Sequence, residues 1–263
     1  MDLHEMDRYI KSIIKEAGHK IRTSFLSDIS IESKSEVNDL VTNIDKEIEQ
    51  FFISRINRDF PAHRIFGEEG FGDDIQDHKG IIWLLDPIDG TMNFVHQKRN
   101  FAISLGIYED GVGKLGYIYD VVNDDLYHGV LGGGAYYNDE KLRPLADTVI
   151  GESIIGMNAT WAVPNTYFDH SGTVQLIQDV RGVRSYGSAA LELAYLASGR
   201  IDAYLSMRLS PWDIAGGMVI AGEVGAIATT LNGATANLLK QDTFLAANPS
   251  IHSEILEKYI LAK

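Results

Sequence analysis

The segment Trp83-Leu84-Leu85-Asp86-Pro87-Ile88-Asp89-Gly90-Thr91 decides the reading of this chain. It continues an uninterrupted apolar run that starts at Ile81, the pattern of a strand buried on both faces. The run stops on an acid. Pro87 stiffens the turn that follows, and Gly90 lets the backbone approach a ligand closely. Asp86 and Asp89 are thereby held at the mouth of one turn. Two carboxylates so close repel each other unless a cation lies between them. Oxygen donors with no histidine or cysteine nearby suit Mg²⁺ rather than zinc. The same two acids could instead cap backbone groups of the turn. A calcium loop of the EF-hand type does not fit, because counting from Asp86 puts Gln97 where that loop needs a glutamate.

Three further segments carry acids at comparable places. Gly67-Glu68-Glu69-Gly70 closes another short apolar strand. Pro211-Trp212-Asp213-Ile214-Ala215-Gly216-Gly217 places Asp213 where a helix begins. Asn38-Asp39-Leu40-Val41-Thr42-Asn43-Ile44-Asp45 places Asp45 in a first helical turn. Taken singly, the glutamates fit a solvated turn, Asp213 an N-cap, and Asp45 an acid favoured by the helix macrodipole.

Outward from these segments, the apolar spacing predicts helices over residues 3–26 and 42–58, the second opened by a Thr42/Asp45 capping pattern. Strands are predicted over 64–67 and 81–85, then an antiparallel meander over 101–108, 115–119 and 126–130 with short turns between. Gly111-Val112-Gly113-Lys114-Leu115-Gly116 matches a dinucleotide fingerprint, but a strand follows where a helix is required, so it reads as a hairpin turn. The second half alternates: strands over 153–157, 201–205, 226–230 and 243–246, helices over 166–178, 188–197, 213–221 and 251–261. Strands and helices mix without a strict βαβ repeat, an α+β pattern. The expectation is one domain over 1–263, with halves of about 1–145 and 146–263 meeting at a weak boundary near 144–151.

Composition narrows the function. The net charge is −14, which argues against nucleic acid as a partner, since phosphate backbones need a basic face. No run approaches the roughly 18 apolar residues of a membrane span, and the N-terminus lacks a secretory apolar core. There is no cysteine, which removes disulfides, zinc–thiolate sites and thiol nucleophiles and fits a cytoplasmic location.

Together and in this order, GEE, WLLDPIDGT and PWDIAGG resemble the inositol monophosphatase family, as do DLVTNID, NFVHQ and GSAALELAYLASGRIDAY around them. The resemblance spans roughly residues 5–260. It implies a layered αβαβα sandwich of the inositol monophosphatase and fructose bisphosphatase type, a lithium-sensitive homodimer, two or three Mg²⁺ per subunit, and a small soluble phosphate ester as substrate. It implies that Glu68, Asp86 and the Ile88 carbonyl hold a first Mg²⁺, and that Asp86, Asp89 and Asp213 hold a second. Asp45 and Thr91 would polarise the attacking water, with Glu68 contributing to catalysis. Gly90 and Thr91 would cradle the phosphate, and Gly187, Ser188, Ala189 and Arg208 would line the substrate site. Lys34 matches a lysine near the family's active-site loop. Where inositol-selective members carry a hydroxyl-gripping glutamate, this chain has Ser206, which is too short for that role, followed by Arg208. That departure raises an alternative substrate: NADP(H), fructose bisphosphate or another bisphosphorylated metabolite. An inactive relative would have lost a ligand, and Asp45, Glu68, Asp86, Asp89, Thr91 and Asp213 are all present.

Overall fold

The computed structural model describes residues 3–26, 29–33 and 40–261. Lys34, Asn38 and Asp39 lie outside the described residues. Helix α1 (Leu3–Ser24) is followed by a hairpin of β1 (Ile31–Ser33) and β2 (Leu40–Thr42), then α2 (Asn43–Asp59). Next come β3 (Arg64–Gly67), β4 (Ile81–Asp89), the short helix α3 (Thr91–Gln97), β5 (Ala102–Glu109), β6 (Val112–Asp120), β7 (Asp125–Val130), β8 (Gly134–Tyr137) and β9 (Glu140–Lys141). The second half contributes β10 (Ile154–Met157), α4 (His170–Asp179), β11 (Gly182–Arg184), α5 (Ala189–Ala197), β12 (Ala203–Leu209), α6 (Pro211–Glu223), β13 (Ile227–Thr229), β14 (Asp242–Ala247) and α7 (Pro249–Glu254).

Strands β3 to β9 form a seven-stranded sheet in sequence order, antiparallel except for the parallel pair β3–β4. The second sheet has five strands in the order β11-β10-β12-β14-β13. Burial separates the layers. Trp83 and Leu85 of β4 face a core shared with Ile10, Ile14 and Ile21 of α1 and Ile48, Phe52 and Ile56 of α2. Their neighbours Ile82 and Leu84 face the other way, into a core with Leu191 and Leu193 of α5, Ile214 and Ile220 of α6, and Tyr204 and Phe244 of the second sheet. A third core puts Leu205 and Leu245 against Leu176 of α4 and Ile251 of α7. The order is helices, sheet, helices, sheet, helices, the layered arrangement expected. Both faces of β4 are covered, which is why it reads as a continuous apolar run.

Several boundaries differ from the sequence expectation. Strand β4 does not stop at Leu85: it pairs with β5 through Asp86 and, after a register shift, again at Asp89. Helix α4 begins only at His170, where Asp169 caps it through the Ser171 N–H. The closing helix is α7 from Pro249, whose end widens into a π-helical turn over Ile255–Tyr259. The glycine-rich 111–116 segment leaves the β5–β6 hairpin turn at Asp110 and Gly111, both at positive φ, and runs on as the start of β6.

Helix α6 lies almost in backbone contact with the seven-stranded sheet. A Cβ on Gly216 would stand 2.8 Å from the Leu105 and Tyr117 carbonyl oxygens, and one on Gly106 would meet Ala215 at 2.7 Å. This close seat fixes where the first turn of α6, and with it Asp213, meets the end of β4. A methyl group at Gly116 would collide with the Gly216 carbonyl, which belongs to a helix rather than a flexible side chain. Gly116→Ala is expected to destabilise the protein by about 1–3 kcal/mol. A lowered thermal midpoint would show it, and an unchanged midpoint would contradict the close seat.

Candidate active site

Six element ends converge on one place. The end of β3 carries Glu68, the end of β4 carries Asp86 and Asp89, and the first turns of α2 and α6 carry Asp45 and Asp213. The starts of α3 and α5 supply Thr91 and the Gly187-Ser188-Ala189 turn. Asp86, Asp89 and Asp213 each offer an oxygen, all within 4.8 Å of one another.

The electrostatics of this cluster are severe. Burial pushes the Asp86 carboxyl well above the ordinary carboxylate range, and the nearby Glu68, Asp89 and Asp213 push it further. Asp89 rises to about 6, chiefly by burial, against the lowering effect of its hydrogen bonds from the Ser188 hydroxyl and the Ala190 N–H at 2.6 Å. Burial likewise raises Asp45. Among the described residues no lysine or arginine forms an ion pair with Asp45, Asp86 or Asp89. Buried acids without a cationic partner are costly. A hard divalent cation among them would reverse the repulsion, and an all-oxygen donor set suits Mg²⁺.

Beside the acid cluster runs a hydrogen-bonded chain. Asp45 directs one oxygen to its own helix cap, accepting from the Thr42 N–H at 2.9 Å and from the Thr42 hydroxyl. Its other oxygen is 3.1 Å from the Thr91 hydroxyl, which is also 3.1 Å from the Ile88 carbonyl. The Ile88 N–H donates back to Asp86 at 2.9 Å. Gly90 links β4 to α3 with φ at 97°, and a Cβ there would stand 3.1 Å from the Gly187 carbonyl. Only glycine fits this left-handed, crowded position without strain.

The structure therefore brings Asp45, Glu68, Asp86, Ile88, Asp89, Gly90, Thr91, Gly187, Ser188, Ala189 and Asp213 to the convergence. Ser188 is buried, and its hydroxyl is committed to Asp89 rather than turned to an open pocket. Ser206 is buried too, its oxygen 3.4 Å from the Arg208 backbone N–H, while the Arg208 side chain is exposed. Three residues that organise the site were not anticipated. Asn93 donates to the Asn100 and Tyr186 carbonyls at 2.8 and 2.7 Å, tying α3 to the turn before α5. Glu192 accepts the Tyr186 N–H at 2.9 Å. Glu49 accepts two N–H groups from the turn that carries Glu68. A charged residue on the apolar stripe of its helix was the available signal for Glu49 and for Glu192.

Comparison with known proteins identifies the family of the chain. The family model for the inositol monophosphatase family matches residues 2–261. Inositol-1-monophosphatase of Bacillus subtilis is 57% identical over 259 residues, covering 98% of each chain. The solved structure of a staphylococcal inositol monophosphatase-1, an inhibitory complex soaked in 100 mM LiCl, superposes with a TM-score of 0.91 at 29% identity, covering 98% of this chain and 95% of that one. An IMPase/NADP phosphatase complexed with Mg²⁺ and phosphate superposes with a TM-score of 0.90 at 29% identity, with the same coverage. The chain belongs to the inositol monophosphatase family. It is a phosphoric monoester hydrolase.

Glu192, whose carboxyl is raised by burial and further by Asp89, offers a test of the buried electrostatics beside the acid cluster. It is 3% exposed, and burial raises its carboxyl to about 7. A carboxyl whose folded value lies above its unfolded value holds its proton in the fold while the unfolded chain has lost it. Stability therefore falls as pH rises from about 4.5 to about 7, and the penalty is full above that. Glu192→Gln keeps an oxygen for the Tyr186 N–H and removes the charge. Its thermal midpoint relative to the unmodified protein should rise between pH 5 and pH 8. A difference that does not change with pH would contradict the assignment.

Proposed function

We propose that this protein hydrolyses inositol monophosphate and similar small phosphate monoesters by magnesium-assisted attack of water, with no covalent intermediate. The observation that carries the reading is the meeting of Asp86, Asp89 and Asp213 oxygens within 4.8 Å, beside the Asp45–Thr91 hydrogen bond. Glu68, Asp86 and the Ile88 carbonyl are the proposed ligands of one Mg²⁺, and Asp86, Asp89 and Asp213 of a second. A third ion at Glu68 would complete a set of two or three. Bound there, magnesium supplies Lewis-acid activation of the water and neutralises charge on the phosphate and the departing alkoxide.

The remaining roles follow from the protein groups. Thr91 donates its hydroxyl hydrogen to Asp45 and so keeps lone pairs free to accept a proton from water. As the Thr91 oxygen accepts that proton, Thr91 passes its own hydroxyl proton to Asp45, whose carboxylate is neutralised. The Gly90 and Thr91 N–H groups hold the phosphate, and the absence of a cysteine agrees with a mechanism that uses no thiol nucleophile. Gly187, Ser188 and Ala189 would position Asp89 and border the substrate, with exposed Arg208 the proposed residue toward the alcohol. The cores joining Ile82 and Leu84 to Leu191 and Phe244 support a single domain across the 1–145 and 146–263 halves. No helix of the described residues is long and apolar enough to cross a membrane. The proposed working form is a cytoplasmic homodimer acting on a soluble ester, with neither nucleic acid nor membrane as partner.

The alternative of a main activity on NADP(H), fructose bisphosphate or another bisphosphorylated metabolite is not favoured. The relative bearing the inositol-1-monophosphatase name is 57% identical, against 29% for the IMPase/NADP phosphatase. Ser206 is buried against backbone and Arg208 is exposed, so neither builds an enclosed second phosphate site. In a panel with Mg²⁺, inositol 1-phosphate should give the highest kcat/KM. A preference for NADP or fructose bisphosphate by an order of magnitude would restore the alternative.

In the same assay, phosphate release should stop with a chelator and return with Mg²⁺. Asp89→Asn and Asp213→Asn should each lower turnover by roughly two or more orders of magnitude, on the scale of lost electrostatic stabilisation of a transition state. Millimolar lithium should inhibit by occupying the position near Asp213. Full activity without divalent cation, or complete insensitivity to lithium, would contradict the cation assignments.

Thr91→Ala should lower kcat more than it raises KM, because its contact is with the attacking water rather than the bound ester. A rise in KM alone would remove Thr91 from that role.

A further inference from the structure

Glu49 lies one helical turn beyond Asp45 on α2 and is fully buried. Both of its carboxylate oxygens accept backbone N–H groups from the turn after β3. One accepts from Glu69 at 2.6 Å, and the other from Phe71 at 2.9 Å. The turn is pinned on its other sides as well. The Glu68 N–H donates to the Leu85 carbonyl at 3.2 Å, and the Asp73 carboxylate accepts the Ile65 N–H at 2.8 Å. Glu68, the first residue of this turn, is thus fixed between the end of β4 and the Glu49 carboxylate.

The contact also accounts for Gly67. A Cβ there would stand 2.6 to 2.7 Å from three atoms of the Glu49 carboxyl group. Any larger residue would push the carboxylate off the turn. Burying a further acid one helical turn from Asp45 is unfavourable unless it does something for the turn. Two charge-assisted hydrogen bonds to backbone N–H groups are what a carboxylate offers and a neutral amide cannot.

We propose that Glu49 is a positioning residue: it fixes the turn carrying Glu68 and so sets the affinity of the site for its divalent cation. The inference rests on the reading of Glu68 as a cation ligand. Glu49 acts through the backbone of the turn, as outer partners orient the groups that hold an ion. Glu49→Gln keeps the shape but turns an NH₂ group toward one of the two backbone N–H groups, donor against donor, which leaves that N–H unsatisfied. Gly67→Ala disturbs the same contact from the opposite side.

The experiment uses Mn²⁺ as the probe, counting free ion by electron paramagnetic resonance in titrations of the metal-free full-length chain. The proteins are the unmodified chain, Glu49→Gln, Gly67→Ala and Glu68→Gln, with a metal-free thermal melt for each. Glu49→Gln and Gly67→Ala should weaken Mn²⁺ binding by roughly 10- to 100-fold. The half-saturating Mg²⁺ for turnover should shift by a similar factor, and turnover should recover as Mg²⁺ is raised. If Glu68→Gln weakens Mn²⁺ binding while Glu49→Gln and Gly67→Ala only lower the melting temperature, Glu49 is purely structural and the proposal is overturned. If Glu68→Gln itself leaves Mn²⁺ binding unchanged, the reading of Glu68 as a ligand fails instead. Gly67→Ala decides the matter alone should Glu49→Gln prove too unstable to titrate.

Discussion

Mutual repulsion among crowded carboxylates, with Asp86 and Asp89 buried and Glu68 and Asp213 partly so, is the constraint around which this molecule is arranged. Asp86, Asp89 and Asp213 meet within 4.8 Å, and Glu68 adds to the pressure on Asp86. Nothing in the apolar layers requires acids at these positions. The sheet and helices hold them in place because their own stability comes from elsewhere, from three cores that the acids do not enter. The folding energy of those layers tolerates a local penalty that a divalent cation would relieve. That division between scaffold and site lets one rigid frame carry charge in a geometry the charges alone would reject.

The frame delivers the acids by giving them two tasks at once. Asp45 and Asp213 each occupy the third helical position of a capping box, on α2 and α6, with the N-cap backbone N–H bound to the carboxylate. Asp45 uses one oxygen for the cap and the other for Thr91. The capping reading of these residues is borne out, and it does not compete with the proposed functional one. The cap fixes the rotamer, and the fixed rotamer aims the second oxygen. At α6 the arrangement depends on the glycine-lined contact with β5 and β6, which brings the helix start within reach of Asp86 and Asp89. At α5 the tie is reversed: the helix start donates its Ser188 hydroxyl and Ala190 N–H to Asp89.

Much of this was legible in the sequence, for definite reasons. The apolar run into Asp86 announces a doubly buried strand, and the spacing of Ile44, Ile48, Phe52 and Ile56 announces α2, because periodicity records burial directly. The site residues were legible as a set only through the ordered resemblance to a family, since each segment alone had an ordinary structural explanation. The unread parts are those that depend on tertiary approach. That β4 runs on through Asp89 follows from its pairing with β5, not from local propensity. The engagement of Ser188 with Asp89 joins residues 99 positions apart. Glu49 and Glu192 stand out in a linear reading only as charges on apolar stripes, and the fold alone shows that backbone N–H groups meet them.

The account's central claim is that the cluster is strained by like charge and relieved by a cation, and the thermal midpoint as a function of Mg²⁺ tests it most directly. Asp86→Asn keeps an oxygen for the Ile88 N–H and removes one of the crowded charges. Without Mg²⁺ its midpoint should exceed that of the unmodified protein. Added Mg²⁺ should raise the midpoint of the unmodified protein by mass action and leave Asp86→Asn nearly unmoved. A metal-free Asp86→Asn that melts lower, together with an undiminished rise on adding Mg²⁺, would contradict the claim.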